Sequence, residues 1–329
     1  MASLGEQERV ALARKRLLSV LGTLTVANQR TLEQKISDAG PSNQRIDPHV
    51  LTPVRRQMMH EGIIGAVNAV NAPWFYASNI APDARQARLN ELVAIYKPYL
   101  DMGHRIGQAL EIATYRALSK IPNADFQGRF VDLDDHDDST LYSKEEPPGH
   151  IGTRAIPGKQ RLDFVLRLPD AGPLGIECKN VRPWMYPHEP ELRDMIRKCV
   201  AIDAVPVLIA RRIPFVTFTI LSRCGVIMHQ TYNQLMPGTE AKFAAKVRDK
   251  MLLGYHDVRL GNVPDERLTK FVTVNLPKVA AGARELFKEY YNLLAAYGAG
   301  MDYEQFAARV LRRSRGEDED WGPNGPPQE

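Results

Sequence analysis

Residues 161–168 (RLDFVLRL) and 174–180 (LGIECKN) decide the fold of the second half of the chain. Both segments are short and rich in apolar residues, and a Pro- and Gly-containing stretch, residues 169–173, separates them. Short apolar runs bounded by turn residues are typical of neighbouring strands. The sequence therefore predicts a β-hairpin at this point.

The predicted hairpin carries an unusual set of charges. Side chains alternate across a strand, so Glu177 and Lys179 share a face and Cys178 points the other way. The first strand contributes Asp163. Two carboxylates in an apolar setting are costly unless a cation is bound there, and a hard divalent metal suits oxygen ligands. A buried salt-bridge group at the edge of a sheet is the alternative interpretation.

The spacing Asp163, then Glu177-Cys178-Lys179, resembles the signature of the PD-(D/E)xK, or restriction endonuclease-like, nuclease superfamily. The resemblance implies Asp163 and Glu177 as Mg²⁺ ligands, with Mn²⁺ as a substitute and the carbonyl of Cys178 as a further ligand. It implies that Lys179 orients and activates the attacking water. A bound metal would acidify that water and neutralise charge in the transition state.

The segments after the hairpin follow an α/β order. Residues 191–201 have a helical pattern, residues 204–210 predict a strand, and two more apolar segments follow at 215–221 and 225–228. The predicted fold class is α/β: a restriction-endonuclease-like mixed sheet flanked by helices, with a small winged-helix-like α+β domain before it and C-terminal helices after it.

The superfamily often adds an acidic residue from a helix ahead of the first catalytic strand, and Glu111 is the candidate here. It lies at the margin of an apolar stripe that includes Leu110, one turn after Gly107. An ordinary glutamate at the boundary of a solvated helix is an equally good interpretation.

Composition is that of an ordinary globular enzyme. The 329 residues are 44% hydrophobic and 25% charged, and the net charge of +4 permits a nucleic-acid partner without arguing for one. No run approaches the roughly 18 apolar residues of a membrane helix, and the N-terminus lacks a signal-peptide core. Three widely spaced cysteines favour neither disulfides nor zinc. A cytoplasmic location is expected.

The first sixty residues are basic and predict three helices, the third opening at Asp47-Pro48. Two short strands around a turn follow, and this layout resembles a winged-helix domain. The third helix would then enter the major groove, with Arg55, Arg56 and Gln57 as DNA contacts. A small helical bundle, or a winged helix used for protein contact, is the alternative.

A strand is expected at residues 125–133, followed by an acidic stretch, residues 132–148. So many acids predict a mobile, solvated loop. A sharper hypothesis is that the loop mimics phosphate and covers a basic site until DNA arrives.

These features predict residues 1–80 as the winged-helix-like domain, 81–312 as the nuclease domain with its helical connector and C-terminal helices, and 313–329 as a disordered tail. The predicted function is metal-dependent cleavage of double-stranded DNA by a homodimer, in restriction or phage defence. Alternatives are a repair or junction nuclease, an RNA nuclease, and a non-catalytic DNA-binding or assembly protein on a nuclease-like scaffold.

Overall fold

The computed structural model describes residues 5–38 and 44–319, which form a mixed α/β structure. The chain divides into two compact units, the first spanning Met1–His104 and Glu240–Leu260 and the second Arg105–Thr239 and Gly261–Glu329.

The helices in chain order are α1 (Glu6–Leu24), α2 (Gln29–Ile36), α3 (Pro48–His60), α4 (Pro82–Asp101), α5 (Gly103–Leu118), α6 (Pro190–Ala201), α7 (Phe215–Arg223), α8 (Ala241–Arg248), α9 (Glu266–Lys270), α10 (Leu276–Glu289), α11 (Tyr291–Gly298) and α12 (Tyr303–Arg313). The strands are β1 (Val26–Asn28), β2 (Ile64–Ala69), β3 (Ala72–Ala77), β4 (Asp125–Gln127), β5 (Arg129–Phe130), β6 (Lys144–Glu145), β7 (His150–Ile151), β8 (Arg154–Ala155), β9 (Phe164–Leu168), β10 (Gly172–Lys179), β11 (Val205–Ala210), β12 (Ile227–Gln230), β13 (Gln234–Met236) and β14 (Val258–Leu260). A 3₁₀ turn covers Gly238–Glu240, and a π-helical segment covers Phe271–Asn275.

The first unit contains the predicted three helices and hairpin, together with a short strand that the sequence did not predict. Strands β1, β3 and β2 form an antiparallel sheet in that order. Val70 and Asn71 close the β2–β3 hairpin with positive φ at both positions, the geometry of a tight two-residue turn. Helices α1, α2 and α3 bury apolar faces in a common core that includes Leu17, Leu32 and Met58.

The predicted boundary at residue 80 is wrong, because the first unit continues through α4 and regains residues 240–260. The ring of Tyr96 on α4 packs edge-to-face on Trp74 of β3, with centroids 5.4 Å apart. Tyr99 packs in the same way on Tyr255, also at 5.4 Å. These buried aromatic contacts attach both segments to the first unit.

Arg55 does not lie on the surface of α3, which corrects its prediction as a DNA contact. Its side chain is buried, with 6% exposure, and its guanidinium stacks 4.4 Å from the centroid of the Phe75 ring. Burial lowers the pKa of Arg55, while the Glu33 carboxylate opposes that shift. The next two residues, Arg56 and Gln57, are exposed. One helical face therefore anchors α3 and the adjacent face is open to solvent.

The second unit is built on a five-stranded mixed sheet in the order β12-β11-β10-β9-β4. Strands β10, β11 and β12 are parallel, and β9 and β4 run antiparallel to their neighbours. Every residue of β11 is buried, as expected for a central strand covered on both faces. Helices α6 and α10 pack on this part of the sheet.

Two segments of the second unit differ in local structure from their sequence patterns. The strand expected at residues 125–133 is split at Gly128, which has a φ of +99°. A Cβ at that position would lie 2.6 Å from the carbonyl oxygen of Asp163, so the backbone passes close to the hairpin. The apolar segment 215–221, to which the sequence pattern assigned neither helix nor strand, lies in helix α7; periodicity alone does not separate these for short apolar runs.

The acidic stretch is anchored to the second unit rather than standing free as a solvated loop. The backbone carbonyl of Asp138 accepts hydrogen bonds from Arg105 at 2.6 Å and from Thr239 at 3.0 Å. Residues 144–145 form β6, which pairs with β5.

The sequence predicted a disordered tail from residue 313 onward, but residues 313–319 make defined contacts in the structure. Arg313 closes α12, and Glu319 pairs with Arg309 and Arg313, so residues 313–319 pack back on that helix. Residues 320–329 lie outside the described part of the chain.

Replacing Arg55 by Ala tests its packing role. The variant loses the stacked contact with Phe75 and leaves a void, so we expect the free energy of unfolding to fall by about 2 kcal/mol. The exposed Arg56→Ala is the matched control and should stay within about 0.5 kcal/mol of wild type in urea denaturation. Equal stability of the two variants would contradict the buried placement of Arg55.

Candidate active site

The hairpin of β9 and β10 brings Asp163 close to the end of β10 that carries Glu177 and Lys179. The antiparallel ladder ends where Phe164 pairs with Ile176, and Asp163, just before β9, donates its N–H to the Ile176 carbonyl at 3.1 Å. One carboxylate oxygen of Asp163 accepts the N–H of Cys178 at 2.6 Å. Asp163 is thus held at the start of its strand by the backbone of the neighbouring one.

Glu177 is buried and is neutralised by two lysines. One carboxylate oxygen accepts from Lys179 Nζ at 2.8 Å and the other from Lys198 Nζ at 2.5 Å. Only 2% of the Glu177 side chain is exposed, so each of these charge-assisted bonds forms largely away from water.

Lys198 comes from α6, which lies unusually close to β10. A Cβ on Gly175 would meet the Sγ of Cys199 at 2.6 Å, so the glycine permits this approach. The ammonium of Lys198 also reaches Asp194 at 3.1 Å and the Arg161 carbonyl at 2.9 Å. Helix α6 therefore places the Lys198 ammonium on the Glu177 carboxylate oxygen that Lys179 does not contact.

A third lysine reaches the site from the acidic stretch. Lys144 on β6 places its Nζ 2.6 Å from a Glu111 oxygen and 3.7 Å from an Asp163 oxygen, with its side chain 6% exposed. Lys144 also lies 3.4 Å from Glu146. Glu111 of α5 is therefore joined to the hairpin carboxylates through this ammonium. We call Asp163, Glu177, Glu111, Lys144, Lys179 and Lys198 the carboxylate–lysine cluster.

Asn180, which follows Lys179, fixes α5 relative to the end of β10. Its side-chain amide donates to the carbonyls of Ile106 and Leu235, the latter at 2.8 Å, and its carbonyl oxygen accepts the Leu235 N–H at 3.1 Å. The side chain is buried. Since Glu111 is on α5, this contact helps to position Glu111 beside the hairpin.

Burial and neighbouring charges shift the pKa values of Asp163 and of the three lysines in the cluster. Burial raises the pKa of Asp163 well above its usual value, the Glu177 and Glu111 carboxylates raise it further, and Lys144 and Lys179 only partly oppose these effects. Burial lowers the pKa of Lys144 and of Lys179, but the neighbouring carboxylates outweigh it and the net pKa of both is raised. All three lysines are therefore ammonium ions at neutral pH, since the pKa of Lys198 is raised as well.

The residues predicted for the site fall into two groups. Asp163, Glu177, Lys179 and Glu111 come together in the second unit. The Cys178 side chain turns away into the core, with its Sγ 3.3 Å from Thr114 Oγ1, so only its backbone faces the cluster. The proposed ligation through the Cys178 carbonyl stays a prediction.

Sequence reasoning missed Lys144 and Lys198. Lys144 is a basic residue directly before Glu145-Glu146 in an acid-rich stretch, and Lys198 is one of several cations in the amphipathic α6. The isolated lysine within the acidic stretch was a usable signal. No comparable signal marked Lys198, because α6 contains several other cations and nothing in the sequence separates Lys198 from them.

The donor atoms of the cluster suit a hard divalent cation. Mg²⁺ in proteins is usually held by one or two carboxylates, with water and substrate phosphate completing its shell. Asp163 and Glu177 supply two such carboxylates, and the pKa of Asp163 is raised chiefly by burial and further by the Glu177 and Glu111 carboxylates. Within residues 5–38 and 44–319, no group of three His, Cys, Asp or Glu side chains has the arrangement of a metal site.

Comparison of the chain with protein-family models, with curated proteins and with solved structures finds no match. In the described part of the chain, none of the helices combines the length and apolarity needed to cross a membrane.

The raised pKa of Asp163 makes a prediction about stability. Because the folded protein holds this proton to higher pH than the unfolded chain, the carboxyl group weakens folding as pH rises from about 4 through its folded-state pKa. Asp163→Asn should therefore be more stable than wild type at pH 8 by on the order of 1 kcal/mol. The difference should vanish near pH 4, as measured by urea denaturation in EDTA.

The matched control is Asp125→Asn, because Asp125 is exposed on β4 and pairs only loosely with Arg167, at 3.7 Å. That variant should track wild type at every pH. A wild-type protein at least as stable as Asp163→Asn at pH 8 would mean that the lysines fully compensate the Asp163 carboxylate.

Proposed function

We propose that the chain is a metal-dependent nuclease that hydrolyses phosphodiester bonds in double-stranded DNA. The observation that carries the proposal is the closeness of Asp163, which immediately precedes β9, to the end of β10 that carries Glu177 and Lys179: Asp163 bonds the backbone of Ile176 and Cys178, and Lys179 bonds Glu177. A PD-(D/E)xK site requires these three side chains to lie together.

Asp163 and Glu177 would hold Mg²⁺, or Mn²⁺ in its place. The bound cation would lower the pKa of a coordinated water and neutralise charge that develops on the phosphate. Asp163 is oriented for this role by the Cys178 N–H, and Glu111 is linked to Asp163 through the ammonium of Lys144.

Lys179 acts in this proposal as a fixed positive charge rather than as a general base. Its raised pKa keeps it protonated at neutral pH, so its ammonium donates hydrogen bonds and cannot accept a proton. Such a charge stabilises an oxyanion that forms during attack on the phosphate. Lys198 has its remaining contacts with Asp194 and a backbone carbonyl, which suits a positioning role for Glu177.

The first unit supports DNA as the substrate. Three helices and an antiparallel sheet with a β-hairpin fit the proposed winged-helix-like module, and Arg56 and Gln57 are exposed on α3. We propose that these two residues contact DNA; Arg55 is excluded by its burial. A DNA-binding module joined to a nuclease domain fits restriction or phage defence. Cleavage of both strands would favour a homodimer.

A non-catalytic scaffold is the second candidate, and the charge balance favours it. Within the cluster three lysines face three carboxylates, so the group can satisfy itself as a buried ion network without metal. An RNA nuclease or a repair nuclease would use the same site on another substrate.

Incubating the full chain with supercoiled plasmid, linear duplex or RNA of matched length tests the proposal. We expect cleavage of the duplex substrates in Mg²⁺ or Mn²⁺ and none in EDTA. Lys179→Gln should slow cleavage by about 100-fold or more, because it removes a charge that acts on the transition state.

Lys159→Gln is the matched control, since Lys159 is exposed. It should cut at the wild-type rate. Intact nucleic acid under every metal, with unaltered DNA binding, would favour the scaffold. Cleavage unaffected by Lys179→Gln would place the active site elsewhere, and preferential cleavage of RNA would reassign the substrate.

A further inference from the structure

A cleft of about 590 Å³ opens in the second unit and is lined by basic side chains. Arg116, Lys120 and Arg129 face it, and Asp134 is the single carboxylate among its lining residues in the described part of the chain. The aromatic rings of Tyr115 and Phe130 also line the cleft and pack edge-to-face, with centroids 5.7 Å apart. The cleft thus has a fixed aromatic wall and an excess of positive charge.

The three cations of the cleft lack the ion pairs that other arginines of this unit make. Arg284, for comparison, binds Asp203 at 2.8 Å. Across residues 5–38 and 44–319, no carboxylate lies within ion-pair distance of Arg116, Lys120 or Arg129. The Nε of Arg116 is also buried without a hydrogen-bond acceptor among those residues. An anion that enters the cleft would give this buried donor an acceptor.

The cleft adjoins the carboxylate–lysine cluster through two elements. On α5, Tyr115 follows Glu111 by four residues, which places them on the same face about one turn, or roughly 5.4 Å, apart. In the β5–β6 ladder, Arg129 pairs with Glu145 and Phe130 with Lys144. The strand pair that delivers Lys144 to the cluster therefore delivers Arg129 to the cleft.

We propose that this basic cleft binds the sugar-phosphate backbone of the nucleic-acid strand that enters the carboxylate–lysine cluster. Its volume matches one or two nucleotides rather than a whole duplex, since pockets for small ligands occupy about 300–1,000 Å³. Arg116, Lys120 and Arg129 would contact phosphates next to the scissile one, which orients the strand without reading its sequence. This inference rests on the proposed nuclease function, because it assigns the path of that enzyme's substrate.

The test is DNA binding by the full chain, measured by fluorescence anisotropy of a labelled duplex in EDTA at 50 to 200 mM salt. The variant is Lys120→Gln with Arg129→Gln, since both residues are exposed and their loss should not disturb folding. Losing two phosphate contacts should reduce the slope of log affinity against log salt by about two and weaken binding roughly tenfold at 100 mM salt. Thermal unfolding checks that the variant is folded.

The matched control removes the same charge from another surface of the unit. Lys270 and Lys278 are exposed, and Lys270→Gln with Lys278→Gln should change affinity less than twofold. An equal loss in both double variants would mean a general charge effect, and wild-type affinity and salt slope in the cleft variant would also overturn the proposal. Displacement of the duplex by a free nucleoside monophosphate at micromolar concentration would reassign the cleft to small nucleotides.

Cleavage in Mg²⁺ separates this proposal from the nuclease proposal. If wild type cuts DNA and the cleft variant binds and cuts it equally well, only the cleft proposal is refuted. A wild type that cuts nothing, with binding lost in the cleft variant, retains the cleft as a nucleic-acid site and refutes the nuclease. A wild type that neither binds nor cuts refutes both.

Discussion

The closeness of the buried Asp163 and Glu177 carboxyl groups at one end of the β9–β10 hairpin is the constraint on which the second unit depends. Two carboxylates fixed this close in a buried setting repel each other and lose hydration. The surrounding elements supply ammonium groups in response: β10 itself carries Lys179, α6 contributes Lys198, and β6 contributes Lys144. The acidic stretch and α6 are therefore tied to the hairpin by charge as well as by packing.

The environment of Asp163 remains costly for an ionised carboxylate, because burial is the largest cause of its raised pKa and the Glu177 and Glu111 carboxylates add to it. A site prepared for a divalent cation pays such a penalty in its metal-free state and regains it on binding. Glu177, in contrast, has a lysine on each carboxylate oxygen, so a metal there has to displace or share the Lys179 contact.

The sequence predicted correctly those features that depend on residues close together in the chain. Alternation along the hairpin predicted that Glu177 and Lys179 share a face, and a turn between apolar runs predicted that Asp163 lies next to them. The helices of the first unit and its hairpin followed from caps, turn residues and apolar spacing. The division at residue 80 was wrong because Tyr99 and Tyr255, far apart in sequence, pack together.

What the sequence could not give depends on tertiary contacts. The stacking of Arg55 on Phe75 is one such contact, although helical spacing was an available signal for its burial: Arg55 follows Leu51 by four residues and shares the buried face of α3. Lys198 becomes part of the site because Gly175 lets α6 approach β10. Helix α7 resembles a strand in composition, and only Thr217, Ile220 and Leu221 of it are buried.

The most direct test of the central claim is whether the cluster exchanges its lysine contacts for a metal. Titrating Mn²⁺ into the full chain, with the free ion followed by electron paramagnetic resonance, measures binding without requiring the correct nucleic acid. The account predicts stoichiometric binding by wild type and by Asp125→Asn, and a loss of that binding in Asp163→Asn and Glu177→Gln variants that circular dichroism shows to be folded. Absence of Mn²⁺ binding in wild type, or equal binding by all four proteins, would contradict it and leave the cluster as a structural ion network.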